Sequence, residues 1–480
     1  MNKKFFRLFY FLLLFAGIVS HPLFQKLALP QESTKSSEQL SKDSPFGIHP
    51  AVPSDEANNI GIKWTRGGAG PYLFWSLVDP NMTGDPAQFQ WQGIAGKNGR
   101  NGSVNYDNLD QLKEAGLGVV YNIEVQPRRG RHRKPGSWLP ADEGAYSNFV
   151  KEAVKRYSFI EYWQIGNEPM ANEGLSGYGK FILLTYEAIK KANPQAKVLV
   201  GGVAGMRMPQ SISEYVADFN RAYLPLLEDI ARLNKRCFDI FDFHWFGDAV
   251  DDYKRTREIK TYILQKINEL GIPAPEDFWI TETGTYSGDP KQPMTMRGAV
   301  DWPYQSERQQ AIDLVRRYIY PLSFGIKKVF WAWGLREGFH YDEGFFDFTG
   351  LIYDGKFAYD EGRGVRKLAY YTYKKMVEVL EGSDWNNIQT IQEKDGIYIY
   401  KFTKQGKPIW VAWNDNPQES QITISGVTSG QVKITEAIPQ YESGKEVTYY
   451  NAAFKTETKD VSGGRISVTL GNIPVFIGEE

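Results

Sequence analysis

Short apolar segments alternate with helix-like segments along the chain from residue 46 onward. In one helix-like segment, apolar residues recur every three or four positions, at Ile259, Tyr262, Ile263, Ile267 and Leu270, the spacing of an amphipathic helix. The short segments predict eight strands, at 46–49, 62–66, 118–125, 162–167, 197–202, 240–245, 278–283 and 327–333. Strands that alternate with helices in this way predict an α/β fold, a (β/α)8 TIM barrel over residues 46–382.

An open doubly wound sheet is the rival arrangement for the same alternation. Such a sheet usually carries a glycine-rich phosphate-binding loop after its first strand. No such loop follows the segment 46–49, and the glycine-rich turn at 67–70 lacks the Lys-Ser/Thr pair of a P-loop. The barrel is therefore the favoured prediction.

The pattern changes after about residue 382. Short segments with alternating or β-branched residues, separated by Gly, Pro and Asn turns, lie at 397–402, 408–413, 421–425, 432–437, 466–470 and 474–477. This pattern is typical of an all-β module. We predict a β-sandwich domain over residues 383–480.

The first 45 residues differ from both predicted domains. Lys3, Lys4 and Arg7 precede an apolar run at 8–19, which is the layout of an export signal. The run is shorter than the roughly 20 residues that span a bilayer comfortably. Residues 1–20 are predicted to be a signal peptide or an N-terminal membrane anchor, and 21–45 a flexible linker. We expect a protein that is secreted or anchored outside the cytoplasmic membrane, with a possible membrane tether.

Composition excludes several classes of function. The chain has 56 Lys+Arg and 57 Asp+Glu, a formal net charge of -1, so it lacks the basic field of a dedicated nucleic-acid binder. Its single cysteine, Cys237, excludes an intrachain disulfide and a zinc site built from cysteines. Metal-binding motifs such as His-Glu-x-x-His are absent from the sequence. We expect neither a catalytic metal nor another cofactor.

Catalytic groups of such barrels lie at the carboxyl ends of the strands. Polar residues at these positions include His49, Arg66, Glu168, His244 and Glu282. Glu168 follows the fourth strand and Glu282 ends the seventh, so both carboxylates reach the same rim. Retaining cleavage of a glycosidic bond needs two carboxyl groups about 5–5.5 Å apart, one as nucleophile and one as acid/base. Arg66 would keep a neighbouring carboxylate ionised, because an opposite charge favours the charged form.

Two motifs carry a family resemblance. Asn167-Glu168-Pro169 follows the fourth strand, and the sequence WITETG at 279–284 ends the seventh strand with Glu282. The barrel resembles clan A glycoside hydrolases, and the module after it resembles the sandwich of β-xylosidase/α-iduronidase-like members. The resemblance implies that Glu168 is the acid/base and Glu282 the nucleophile.

The same resemblance implies roles for further residues. Asn167 would bind the sugar hydroxyl next to the reacting carbon. Arg66 and His244 would contact the nucleophile, and Trp331 would form the floor of the site. Many clan members place a tyrosine hydroxyl near the nucleophile, and Tyr286 could supply it here because the residues directly after His244 carry none.

Other rim residues are candidates for substrate contact. His49 ends the first strand, and a basic run at 128–134 in the loop after the third strand could recognise an anionic sugar. Aromatic side chains that could stack on sugar rings are Trp75, Trp138, Trp302, Trp333 and Phe339.

The sequence predicts a retaining glycoside hydrolase that acts on oligo- or polysaccharides with two glutamates. A transglycosylase would use the same two residues and differ only in the acceptor. A catalytically inactive, carbohydrate-binding barrel is a third possibility, although such a barrel would be expected to lack one of the carboxylates, and Glu168 and Glu282 are both present.

Overall fold

The computed structural model describes most of the chain from residue 42 onward. The described residues are 42–67, 72–92, 94–95, 103–104, 109–126, 130–205, 211–250, 252–291, 302–339, 341–357 and 359–480. The predicted leader at 1–20 and nearly all of the predicted linker at 21–45 lie outside them. None of the described helices combines the length and the apolar character that crossing a membrane requires.

Eight parallel strands of the described chain close into a barrel. They are β1 (Phe46–His49), β2 (Trp64–Arg66), β3 (Gly118–Glu124), β4 (Tyr162–Ile165), β5 (Lys197–Leu199), β6 (Ile240–Phe246), β7 (Asp277–Gly284) and β8 (Ile326–Ala332). Each strand pairs with the next in sequence order, and β8 pairs with β1 to close the ring. The predicted (β/α)8 fold class is thereby confirmed. A short strand, Leu73–Phe74, lies beside the end of β3.

Helices connect the strands and pack outside them. They are α1 (Ser54–Ile60), α2 (Trp75–Val78), α3 (Asp110–Glu114), α4 (Glu143–Arg156), α5 (Tyr178–Ala192), α6 (Ile212–Ala222), α7 (Leu224–Ala231), α8 (Arg255–Glu269), α9 (Glu307–Ser323) and α10 (Leu368–Leu380). The side chain of Ser306 accepts the Gln309 N–H at the start of α9, and the Gln309 side chain accepts the Ser306 N–H in return. This capping box satisfies two backbone donors that the helix itself leaves unpaired.

An apolar layer fills the barrel near the amino ends of its strands. Trp64 and Trp279 lie 5.9 Å apart between ring centroids, and Phe330 stacks on Trp279 at 6.2 Å. Since side chains alternate along a strand, residues two positions further on also point inward, one level closer to the carboxyl ends. That next level is polar and buried, and consists of Arg66, Asn122, Gln164, Asp242 and Thr281.

The C-terminal region forms two antiparallel sheets that face each other, as predicted for a β-sandwich. The larger sheet has the strand order β9 (Gln389–Lys394), β10 (Ile397–Lys404), β11 (Lys407–Asn414), β16 (Val475–Glu479), β13 (Gln431–Pro439) and β14 (Phe454–Asp460). The smaller sheet pairs β12 (Ser420–Ser425) with β15 (Arg465–Leu470). A hydrophobic core that includes Trp410, Ile424 and Val468 lies between them.

The opposite face of the larger sheet packs on the barrel and joins its hydrophobic core. Tyr400 and Trp413 belong to the same buried cluster as the barrel helices. Helix α9 lies between the two domains, and nearly every residue of it is buried. The Trp413 indole donates to the Tyr253 hydroxyl at 3.1 Å. We therefore propose that the sandwich braces this side of the barrel.

Asp415 connects the two domains electrostatically. It accepts a hydrogen bond from the Tyr253 hydroxyl at 2.7 Å and lies 2.6 Å from Lys254 Nζ and 3.2 Å from Arg316 Nη2. The Arg316 side chain is only 8% exposed. A buried cation without its anion is strongly unfavourable.

Replacing Asp415 with alanine is expected to lower the free energy of unfolding by about 3 kcal/mol or more, because the Arg316 cation stays buried without its partner. Urea unfolding followed by fluorescence measures the effect. Glu187→Ala is the matched control, since Glu187 pairs with Lys235 at an exposed site and should change stability by less than about 1 kcal/mol. Equal effects of the two variants would contradict the proposed brace.

Candidate active site

Arg66 organises the polar level of the barrel. Its side chain is fully buried and makes a hydrogen bond with each of three partners. Nε donates to Gln164 Oε1 at 2.6 Å, and Nη2 donates to Asn167 Oδ1 at 2.6 Å. Nη1 donates to Glu282 Oε1 in a buried ion pair. The guanidinium thus fixes both the position and the rotation of the Glu282 carboxylate.

A local irregularity brings Glu282 into the barrel mouth. Thr281 and Glu282 are consecutive, yet both side chains contact groups inside the barrel. The register of β7 against β6 shifts between Ile280 and Glu282, and such a bulge re-aims a side chain next to a site. Regular pleating would have turned one of the two away from the interior.

Glu168, which follows β4, also lies at the barrel mouth, and an unusual backbone conformation positions it there. Its φ is +47°, in the left-handed region, which is uncommon for a residue with a side chain. The Glu168 N–H donates to the carbonyl of Gly201 at 2.7 Å, which holds this conformation. The side chain is 22% exposed, against 3% for Glu282, so the Glu168 carboxyl is the more accessible of the two.

A cavity of about 200 Å³ opens beside Glu168. It is lined by aromatic, charged and amide side chains, namely Tyr72, Phe74, Glu124, Gln126, Arg133, Trp138, Asn167, Glu168, Met170 and Glu173. Aromatic faces combined with a few polar groups suit a sugar ring, which has apolar faces and hydroxyls around its edge.

His244 lies between the two carboxylates. Its Nδ1 is 2.7 Å from Glu168 Oε1 and 3.4 Å from Glu282 Oε2. The partner of its other nitrogen, Nε2, is Thr281 Oγ1 at 3.1 Å. The resemblance implied a contact with the nucleophile, but the shorter of the two contacts joins His244 to the other glutamate.

Glu168, His244 and Glu282 could in principle share a metal ion. Among the described residues, they are the one group whose donor atoms are close enough to do so. One ligand atom from each of Glu168, His244 and Glu282 lies within 4.8 Å of the others. The Arg66 guanidinium already compensates the charge of Glu282, which disfavours an added cation at that carboxylate. We therefore assign no metal to the site, and its absence remains a prediction.

Burial dominates the protonation of these groups. It lowers the pKa of the His244 imidazole to about 4, with Glu282 opposing and Arg66 reinforcing that shift. Burial also raises the pKa of Glu282 above its ordinary value, while His244 and Arg66 act in the lowering direction. The charge-assisted hydrogen bond from Arg66 favours the charged form of Glu282. The site thus combines an imidazole that burial keeps neutral with a carboxyl group whose ionisation Arg66 favours and burial opposes.

His49 lies beside Oε1 of Glu282, whereas His244 lies beside Oε2. Its ring is buried, and Nδ1 contacts the carbonyl oxygen of Arg66, so Nδ1 carries the proton. Nε2 is 3.5 Å from Glu282 Oε1. The His49 ring packs against Trp333 with 4.3 Å between centroids, and Trp333 stacks on Phe339 at 3.9 Å. Both aromatics are partly exposed at the rim.

Two predicted site residues lie elsewhere. Trp331 has no exposed surface, and its indole donates to the Thr349 carbonyl at 2.9 Å. Its neighbour Phe330 points into the barrel, so the pleat turns Trp331 outward, toward the helices. Tyr286 is also buried, and its hydroxyl donates to the Pro303 carbonyl. Neither residue therefore occupies the position that the resemblance implied.

Sequence reasoning assigned no role to several groups of the site. Tyr72 lies in the connection after β2 and lines the cavity, where the charges of Arg66, Glu282 and Glu168 act on its hydroxyl. Gln164, Asp242 and Thr281 belong to the buried polar level beneath the carboxylates. Each of these three residues comes two positions after an inward-pointing apolar residue of the same strand, and this spacing could have predicted that they lie inside the barrel. No pattern in the sequence predicts the position of Tyr72.

The basic run at 128–134 is only partly described, because residues 127–129 lie outside the described set. Arg131 is exposed and donates to the Pro80 carbonyl. Arg133 stacks over Trp138 at 4.8 Å and lines the cavity beside Glu168. Lys134 pairs with an acidic residue of α4. Of the residues described in this run, Arg133 is therefore the one that lines the cavity.

No protein-family model matches this sequence, and no curated protein matches it. The structure is similar to that of a family 39 glycoside hydrolase from the gut symbiont Bacteroides cellulosilyticus WH2, at 15% identity and a TM-score of 0.58, covering 92% of this chain and 82% of the other. It is also similar to a glucosidase from Croceicoccus marinus, at 13% identity, a TM-score of 0.57 and coverages of 91% and 96%.

A third similar structure is a family 51 α-L-arabinofuranosidase from Bifidobacterium longum, at 12% identity, a TM-score of 0.54 and coverages of 94% and 91%. These similarities span both the barrel and the sandwich. They confirm, at the level of the fold, the resemblance that the sequence motifs indicated.

The buried His244 should make stability depend on pH. Its pKa is about 4 in the folded protein against an ordinary value of 6.5, so the unfolded chain binds the extra proton between these values. Above pH 6.5, His244 makes its full contribution to the free energy of unfolding. That contribution falls as the pH drops, and at pH 5 the free energy of unfolding is lower by about 2 kcal/mol.

Urea unfolding at pH 7 and pH 5 measures this loss. His244→Gln should show a smaller loss of unfolding free energy between the two pH values than the natural protein, because glutamine takes up no proton. An equal loss in both proteins would show that His244 is not the group responsible.

Proposed function

We propose that this protein is a retaining glycoside hydrolase in which Glu282 is the nucleophile and Glu168 the general acid/base. The observation that carries the proposal is the short distance between their carboxylates, which have oxygens within 4.8 Å of each other. Retaining enzymes place the two carboxyl groups about 5–5.5 Å apart, whereas inverting enzymes need about 6.5–9.5 Å to admit a water molecule.

The surroundings of the two glutamates support this division of roles. Glu282 is buried and paired with Arg66, which favours the ionised form that a nucleophile needs. Glu168 borders the cavity and contacts the imidazole of His244. A carboxyl group in that position can keep its proton until a leaving oxygen accepts it.

The reaction then proceeds in two balanced displacements. A Glu282 oxygen attacks the anomeric carbon while the bond from that carbon to the leaving oxygen breaks, and the leaving oxygen takes the Glu168 proton. Water next attacks the same carbon and gives a proton to the Glu168 carboxylate. The bond to Glu282 breaks in this step, so both side chains return to their initial states.

The cavity and the similar structures support an oligo- or polysaccharide substrate. Tyr72, Phe74 and Trp138 provide aromatic surface next to the polar Asn167 and Glu168. The similar solved structures include enzymes named as a glucosidase and an arabinofuranosidase. Asn167, held by Arg66, would contact a hydroxyl of a sugar bound between the two glutamates, as the resemblance implies.

Substitution of each glutamate should give a different kinetic result. Glu282→Gln should abolish turnover of every glycoside, because no covalent intermediate forms. Glu168→Ala should lose roughly 100-fold or more on substrates with poor leaving groups, and much less on activated aryl glycosides. Azide should restore turnover of the aryl glycoside by Glu168→Ala, and NMR should show an early product with the anomeric configuration of the substrate.

Glu161→Gln is the matched control, because Glu161 lies at the opposite end of β4 and pairs with Lys42. An inverted early product would reject the retaining mechanism. A covalent sugar mapped by mass spectrometry to a peptide without Glu282 would reject the assigned nucleophile.

Product analysis with added sugar acceptors would reveal a transglycosylase, which uses the same two glutamates.

We also propose an extracytoplasmic location, supported by the basic and then apolar order of the leader at 1–20. N-terminal sequencing of the native protein tests the location and the fate of the leader. A soluble cytosolic protein that retains Met1 would contradict it.

A further inference from the structure

A chain of hydrogen bonds leads from Arg66 toward Glu168 beneath the two carboxylates, and each bond constrains the next. The guanidinium only donates, so its contact of 2.6 Å with Gln164 Oε1 fixes which end of that amide faces it. Asn122 donates to the same oxygen at 2.6 Å. The Gln164 amide nitrogen therefore faces Asp242 and donates to its Oδ2.

Asp242 in turn fixes the direction in which the Thr281 hydroxyl donates its hydrogen bond. The Asp242 carboxylate is fully buried and also accepts the Gly201 N–H at 3.2 Å. A buried carboxylate needs hydrogen-bond donors, so the Thr281 hydroxyl, 2.7 Å from Oδ2, gives its single proton to Asp242. Thr281 Oγ1 can then only accept from His244 Nε2, 3.1 Å away.

We propose that His244 is a positioning residue, held as the neutral tautomer protonated at Nε2, whose bare Nδ1 accepts a hydrogen bond from the protonated carboxyl of Glu168. This inference rests on the proposed function, in which Glu168 is the general acid. Nδ1 lies 2.7 Å from Glu168 Oε1 but 3.4 Å from Glu282 Oε2, so the acid is its partner. A bare nitrogen at this distance favours the carboxylic acid over the carboxylate.

Burial supports the neutral state, because it lowers the pKa of His244 to about 4. Other charged and titratable groups face the same pair. Among the described residues, those near His244 include His49, Arg66, Asp242 and Glu282. Those near Glu168 include Tyr72, Tyr223 and Glu282, and Glu124, Arg133 and Glu173 line the same cavity. Arg66 and Glu282 largely offset each other as an ion pair. Thr281 and His244 separate Asp242 from Glu168.

The tautomer can be read without any activity. Two-bond proton–nitrogen correlation spectra of the nitrogen-labelled protein distinguish the Nε2–H, Nδ1–H and doubly protonated forms of a histidine. The chain has five histidines, and the signal that disappears in His244→Gln identifies the relevant one. We expect the neutral Nε2–H form from pH 6 to pH 8. An Nδ1–H or doubly protonated His244 in this range would overturn the proposal.

Thr281 supplies the kinetic test. Valine at this position keeps the shape but removes the oxygen that accepts from Nε2, which frees His244 to place its proton on Nδ1 and donate to Glu168. Thr281→Val should therefore move the alkaline limb of the kcat/KM profile down by roughly one pH unit. It should also lose more activity on poor leaving groups than on activated ones. Thr281→Ser, which keeps the hydroxyl, should retain the natural profile.

The possible outcomes separate this inference from the proposed function. If the natural protein hydrolyses no glycoside, the proposed function fails, and the tautomer measured by NMR still decides the hydrogen-bond chain. If the natural protein is active but Thr281→Val lowers activity without moving the alkaline limb, Thr281 is merely structural and the inference is wrong. A shift in the valine variant that the serine variant reverses would support it.

Discussion

The buried guanidinium of Arg66 is the constraint on which the rest of the site depends. A cation removed from water must be matched by an anion and by acceptors for its remaining protons. Glu282, Gln164 and Asn167 satisfy that requirement, each through a different nitrogen of Arg66. The same contacts hold Glu282, the proposed nucleophile, orient the Gln164 amide and fix the Asn167 amide beside it.

The proposed roles of the two glutamates differ because their surroundings differ. Glu282 is buried beside a permanent cation, whereas Glu168 borders an open cavity and contacts an imidazole that burial keeps neutral. Pairs of titratable groups whose environments favour opposite protonation states are the usual basis of acid/base division in enzymes. His244 contributes to both environments, since its Nδ1 is close to both carboxylates.

The sandwich supports this arrangement at a distance. Helix α9 lies between the sandwich and the barrel. Within α9, the guanidinium of Arg317 forms a buried ion pair with Asp313 and lies 3.4 Å from Thr283 Oγ1, one residue after Glu282. Burial of α9 on both sides excludes water from these ionic contacts. A rigid support of this kind would preserve the short distances that the proposed reaction needs.

Alternation of apolar and polar residues determined the order of strands and helices, because each burial pattern repeats with the period of its own element. Strand order in turn brought Arg66, Glu168 and Glu282 to one rim. Only the tertiary structure decided which way individual side chains point. A register shift in β7 aims Glu282 inward, and the pleat of β8 turns Trp331 away. Such one-residue changes depend on pairing with neighbouring strands, which no local pattern in a single chain encodes.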